Sequence, residues 1–190
     1  MNRLHQIVLI SSTVLGSWLG MQAVHESGHI LGAWLTGGKA ARVVLNPFTI
    51  SRTDLAHNPN PLVVVWAGPI FGVAMPLLLW CVAVATKWRG AFVLRFFAGF
   101  CLLANGIYIG LGSFDRVGDC GEMLRHGAAP WQLWLFGAST APVGLRLWHG
   151  QGRQFGLAPA AHGKVDHVAA YGSLAACVGL LLLGFVVGGE

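Results

Sequence analysis

The sequence predicts an all-α membrane protein, a polytopic bundle of four to five transmembrane helices with a small re-entrant or hairpin β element after the first helix. Three observations carry that prediction. Of 190 residues, 55% are hydrophobic and only 10% carry a formal charge, whereas soluble domains run near a quarter charged. Mean hydropathy is +0.63. The apolar residues gather into long stretches, and one polar, β-prone interruption separates the first stretch from the second. At roughly 20 residues per span, this length leaves little outside a bilayer, so residues 1–190 are expected to form a single integral membrane domain. The net charge of +5 comes from twelve Lys and Arg scattered singly between apolar stretches. No run of them tracks phosphates, so the expected surroundings are a lipid bilayer and not nucleic acid.

Residues 7–35 are apolar except for Gln22, a few Ser and Thr, and the group His25, Glu26, His29. At helical rise they span roughly 40 Å, longer than a bilayer core requires, which predicts one long or tilted helix. A cleaved signal peptide is the rival reading, because Arg3 precedes the apolar run and Ala23 is small, but the run continues past Ala23 to Leu35. Gly37-Gly38 is expected to stop the helix. Residues 39–61 then hold short β-prone pieces, 42–45 and 48–51, broken by Asn46-Pro47 and by the Asn and Pro of residues 58–61. Further apolar segments follow at 61–86, 91–112, 130–148 and 168–187. The segment 130–148 is the weakest because it holds Gln132, Arg146 and several Gly and Pro, hence a count of four or five spans. Trp88 beside Lys87 and Arg89, and Trp131, Trp134 and Trp148 near segment ends, are expected to anchor at the interface. Gly106, Gly110 and Gly112 suit close helix packing.

Chemistry concentrates in His25-Glu26-Ser27-Gly28-His29. On a helix the i, i+4 spacing puts both imidazoles on one face about 6 Å apart, suited to two corners of a tetrahedral zinc site. Glu26 lies one step round, where it can take a proton from an attacking water and pass it to a leaving amine. Two His and one Glu within an apolar segment cost several kcal/mol unless they pair or bind an ion. A hydrogen-bonded cluster that merely joins helices is the bland alternative, which Ser or Thr would supply at lower desolvation cost. A third protein ligand must come from elsewhere in the chain, leaving one position open. Cys81, Cys101 and Cys177 lie in apolar runs and read as packing thiols. Cys120, beside Asp119 in a polar loop, is a spare candidate ligand. His57, His126, His149, His162 and His167 lie near loops and read as solvated.

These motifs resemble the site-2 protease family of integral membrane zinc metallopeptidases. Three local matches carry the resemblance: His25 to His29; Trp66-Ala67-Gly68-Pro69-Ile70-Phe71-Gly72, similar to the family's AGP-containing helix start, with Gly72 where an Asn often follows; and Asp119-Cys120-Gly121-Glu122-Met123-Leu124-Arg125, similar to the family's Asp-Gly-Gly-x-x-Leu stretch with Cys120 in place of the first Gly. Asn105 corresponds to the Asn the family places upstream of that Asp, the alternative being a plain interhelical hydrogen bond. The resemblance covers residues 14–125, and residues 130–190, the C-terminal membrane segments, match nothing in it. It implies Zn2+ as cofactor, held by His25, His29 and a later Asp, with Glu26 catalytic and Asn105 in contact with substrate. The interval from Asn105 to Asp119 exceeds the family's pattern and leaves Asp115 and Asp119 as candidate third ligands. Asp119 is the choice: Gly121 and Leu124 follow it at the family's offsets, Gly118 and Gly121 relax the backbone around it, and Asp115 has Arg116 beside it as a competing partner.

The function so implied is zinc-dependent intramembrane endopeptidase, hydrolysing peptide bonds of membrane-spanning protein substrates, in a multi-pass protein of a bacterial cell membrane. The chain is too short for the PDZ or nucleotide-binding module that many relatives carry, so substrate selection is expected to rest on the membrane core. Two other readings share the ligand set: a non-catalytic zinc-binding scaffold or pseudoprotease, and a hydrolase of lipid or another non-peptide substrate. The retained Glu26 favours catalysis, since a structural zinc site needs no general base. Orientation and oligomeric state are not readable from the residues.

Overall fold

The computed structural model describes residues 2–46, 48–158 and 161–188. Helix α1 runs unbroken over Asn2–Leu35, and at 34 residues it is roughly 50 Å long. It stops as the glycine pair predicts. Gly37 adopts a left-handed φ of 77°, Gly38 N–H donates to the Ala33 carbonyl at 2.7 Å and Gly37 N–H to that of Trp34 at 3.2 Å. That is the paired closure of a Schellman motif, which satisfies the last carbonyls of a helix.

A two-stranded antiparallel hairpin follows, β1 over Lys39–Val44 and β2 over Arg52–His57, with Val43 opposite Thr53. The hairpin is as expected, but its second strand lies later than the β-prone piece 48–51. Phe48 and Ile50 instead stand exposed in the connection, while Thr53 and Leu55 alternate inward along β2; a strand is selected by which face it can bury rather than by β-branched content alone. Pro47, expected at the break between the strands, lies outside the described residues.

The remaining helices are α2 (Pro61–Ala85), α3 (Ala91–Asp115), the short α4 (Gly118–Arg125), α5 (Pro130–Trp148) and α6 (His167–Val187), with a single 3-10 turn at Gln151–Arg153. Asp166 caps α6 by accepting from Ala169 N–H. Among the described residues four helices, α1, α2, α3 and α6, are long and apolar enough to cross a membrane. Helix α5 has the expected bounds but is not one of those four. It lies along α3, where a Cβ on Gly137 would meet the Cα of Gly110 at 2.8 Å and one on Gly144 the carbonyl oxygen of Gly99 at 2.7 Å. Glycines thus set that crossing, as small residues do between membrane helices.

The outward faces are apolar, with Trp34, Leu35, Leu111, Phe114, Leu182 and Val186 all more than 60% exposed, a surface that suits hydrocarbon and not water. Two of the tryptophans expected at the interface also join helices. Trp148 stacks on Phe96 with ring centroids 5.1 Å apart and donates to its carbonyl at 3.0 Å, and Trp134 donates to Ser113 Oγ at 2.9 Å. Both tie α5 to α3. One buried cluster, including Val65, Ile109, Met123 and Leu133, fastens α4 beneath α2, α3 and α5, which brings the segment after α3 back toward the middle of α1.

Candidate metal centre

His25 and His29 are both buried on α1, with ring centroids 4.8 Å apart. What orients them comes from two other helices. His25 Nδ1 donates to Asn105 Oδ1 of α3 at 2.7 Å, and Asn105 is itself fixed by donating from Nδ2 to the Cys101 carbonyl at 2.9 Å. His29 Nδ1 donates to the Val64 carbonyl of α2 at 2.9 Å. With both Nδ1 atoms committed as donors, each ring directs its Nε2 inward, the orientation that metal-bound histidines adopt when a second shell holds them.

Asp119 of α4 completes the cluster. Its Oδ2 lies 2.8 Å from His25 Nε2 and 3.4 Å from His29 Nε2, and the two Nε2 atoms are 3.1 Å apart. These three residues form the metal-suited group found among the described residues. The separations lie near the edge of about 3.3 Å that a tetrahedron with arms of roughly 2.0–2.1 Å would have. A proton can satisfy one of the three pairs, whereas a divalent cation satisfies all three lone pairs together. The donor set therefore fits a metal ion of zinc's kind. Burial by itself would push the Asp119 carboxyl up, but hydrogen bonds and charge from His25 and His29 outweigh it and hold the group below the usual carboxylate range, ionised as a ligand must be.

The local backbone explains why Asp119 reaches inward. Gly118 takes a left-handed φ of 56°, and a Cβ there would run into the Tyr108 hydroxyl. Glycine leaves room for Tyr108 Oη to accept from Asp119 N–H at 3.0 Å. Asp115, the other carboxylate considered, ends α3 and is exposed. Cys120 is not in a polar loop but in α4, fully buried, with Sγ donating to the Tyr108 carbonyl at 3.2 Å. Burial, and then the charge of Asp119, push its thiol up to about 11, which keeps it protonated and poor as a ligand.

The glycine-proline segment on α2 has a direct steric purpose. A Cβ on Gly68 would overlap the His29 imidazole, and a Cβ on Gly28 would sit 2.8 Å from the Cα of Gly68, so both glycines are needed for α1 and α2 to enclose that ring. A Cβ on Gly72 would sit 2.9 Å from Asn105 Nδ2 and Oδ1. The position where the resemblance led one to look for Asn is thus the space that Asn105 fills from α3. Asn105 lines the cavity, yet its amide is engaged on both sides, which makes it an orienter of His25 before anything else.

Glu26 is buried beside the cluster, and its Oε2 accepts from Thr53 Oγ1 of β2 at 2.7 Å. Glu26, His25, His29 and Asp119 line one cavity of about 1060 Å³, whose wall also includes residues 50–55 of the hairpin. Sequence reasoning missed Thr53, Tyr108 and the Val64 carbonyl. None carries a motif, and a backbone carbonyl leaves no signature in side-chain identity at all.

No curated protein and no solved structure matches the chain. A family model does: the one described as Peptidase M50B-like matches residues 7–109, more than half of the chain and enough to hold His25, Glu26, His29 and Asn105. With four helices long and apolar enough to cross a membrane, a buried metal-suited cluster and that match over its first three helices, the chain belongs to the Peptidase M50B-like family, consistent with the site-2 protease resemblance of its motifs.

Proposed function

We propose that the protein is a zinc-dependent intramembrane endopeptidase that hydrolyses peptide bonds of membrane-spanning proteins, as a multi-pass protein of a bacterial cell membrane. One observation carries the reading: three ligand atoms on His25, His29 and Asp119 converge within 4.8 Å of one another and share a cavity with a separate buried carboxylate, Glu26. A structural metal site has no use for the extra carboxylate, whereas hydrolysis does.

His25, His29 and Asp119 hold the ion in this reading, with Asn105 and the Val64 carbonyl fixing the two imidazoles. Zinc, when bound, supplies Lewis acidity that polarises a carbonyl and lowers the pKa of water. Glu26 takes the proton of the attacking water and delivers it to the leaving amine nitrogen. Burial of Glu26 lowers the local dielectric and strengthens each of its electrostatic contacts. An intact substrate helix hides its carbonyls, so the scissile stretch must unwind. The cavity wall formed by residues 50–55 offers β2 as a strand along which an extended segment can pair.

The test is zinc content of the purified protein together with cleavage of a panel of single-span substrates by the native form and by Glu26→Gln. The native form should contain zinc and cleave. Glu26→Gln should keep its zinc and lose about 10²–10⁴-fold in turnover, the usual contribution of a general acid-base group. Turnover undiminished by Glu26→Gln would remove Glu26 from the chemistry, and zinc without any cleavage would return the protein to a scaffold role.

A further inference from the structure

The geometry points to Thr53 as a positioning residue for the general base: its hydroxyl, carried on β2, holds one oxygen of Glu26 so that the other is presented to the cavity. This deepens the endopeptidase reading and rests on it for its catalytic half. Glu26 belongs to α1 and Thr53 to a strand 27 residues later, so no helical geometry forces them together. Thr53 Oγ1 nevertheless donates to Glu26 Oε2 at 2.7 Å. Among the described residues that is the hydrogen bond recorded for the Glu26 carboxylate.

Two physical features give the contact weight. The terminal torsion of a glutamate is broad and nearly two-fold, so a carboxylate without a fixed partner samples many orientations. A hydroxyl donor on Oε2 removes that freedom while leaving Oε1 to accept from water, and hydrogen bonds to charged acceptors are among the stronger ones. Thr53 also sits on the inward side of β2, half-buried, while its neighbours Arg52 and Asp54 are exposed and pair with each other at 3.3 Å. The strand therefore points a short hydroxyl, and not its charged groups, at the base. The same strand lines the cavity. Movement of β2, including movement that accompanies seating of a peptide beside it, is transmitted through Thr53 to the orientation of Glu26.

Thr53→Val removes the hydroxyl with little change of shape, and Thr53→Ser restores a hydroxyl, so the pair separates hydrogen bonding from packing. In the full-length purified protein, Thr53→Val should lower kcat about ten- to hundredfold, with KM within about twofold of native and zinc content unchanged, and Thr53→Ser should recover most of the loss. Hydrogen exchange of the β2 amides needs no turnover. Thr53→Val and Glu26→Ala should each speed exchange across residues 52–57, and the double variant should exchange no faster than the faster single one, since both remove the same bond. Unchanged kcat and unchanged exchange in Thr53→Val, additive effects in the double variant, or a Thr53→Ser no better than Thr53→Val would each overturn the assignment. Should the native chain cleave nothing, the endopeptidase reading falls by itself, and the exchange cycle still decides whether Thr53 holds Glu26.

Discussion

Two helix crossings in this protein are built from the same device and used for opposite ends. Where α1 meets α2, Gly28 and Gly68 bring the backbones so close that a Cβ on Gly28 would lie 2.8 Å from the Cα of Gly68. Where α3 meets α5, a Cβ on Gly137 would lie 2.8 Å from the Cα of Gly110. The first crossing encloses an imidazole, whose Nδ1 donates to the Val64 carbonyl across the seam. The second is flanked by Ile109 and Leu133 of the apolar core. Small residues in a membrane helix thus report close approach and nothing more. Whether that approach serves chemistry depends on the side chain that occupies the space it creates.

Removing the polar cluster beside the first crossing should have the largest effect. His25→Ala, His29→Ala and Asp119→Ala each delete one of three donors and should empty the site and abolish cleavage, whereas Asp115→Ala should leave both at native levels. Elemental analysis of the purified variants measures the metal directly. Full occupancy after loss of Asp119, or loss confined to Asp115→Ala, would move the third ligand elsewhere.

A methyl group at Gly68 tests the seam itself. It would overlap the His29 ring, so Gly68→Ala should displace the ring or part the helices and weaken metal affinity about 10–100-fold, the range seen when the outer shell of a ligand is disturbed. Competition against a chelator of known affinity provides the number. Native affinity in this variant would mean that α2 can shift without moving His29, and the proposed steric purpose of the glycine would be lost.

The matching change at the second crossing should have the smallest effect on function. Gly137→Ala meets backbone atoms, which yield less readily than side chains, and should cost about 1–3 kcal/mol of stability through overpacking. Zinc content and Glu26-dependent cleavage per folded molecule should stay at native values. A lower thermal midpoint in detergent with unchanged metal would sharpen the contrast between the two seams. Metal loss in Gly137→Ala would show that α5 also supports the cluster, through α3 and Asn105.

The family match over residues 7–109 overlaps most of the resemblance, which extends to residue 125 and the Asp119 stretch. Ile7 to Leu35 read as one long helix because apolar residues persist through it, and the stop at Gly37 follows from glycine's freedom at positive φ. His25 and His29 were legible because helical geometry turns a spacing of four into a shared face. The second strand was misplaced by four residues, from 48–51 to Arg52–His57, because intrinsic preference for β structure is weaker than the choice of which face gets buried. Trp148 read as an interfacial anchor, and the structure adds that it clamps α5 to α3 through the Phe96 carbonyl, a contact that an indole can make while its ring stays amphipathic.

By itself, then, the sequence determined a helical membrane protein, the tight closure of its first helix, and the pair of imidazoles with a carboxylate between them on one helix. Each of these is a local property, expressed within a few residues along the chain through hydrophobic period, backbone freedom or i, i+4 spacing. Tertiary structure decided everything that joins distant segments. It brought Asp119, rather than Asp115, to within 2.8 Å of His25, gave Asn105 and the Val64 carbonyl the task of setting both imidazole tautomers, and set the Thr53 hydroxyl on Glu26. Such contacts depend on how helices cross and how a hairpin folds back. That geometry follows from the packing of whole surfaces, and no short stretch of residues encodes it.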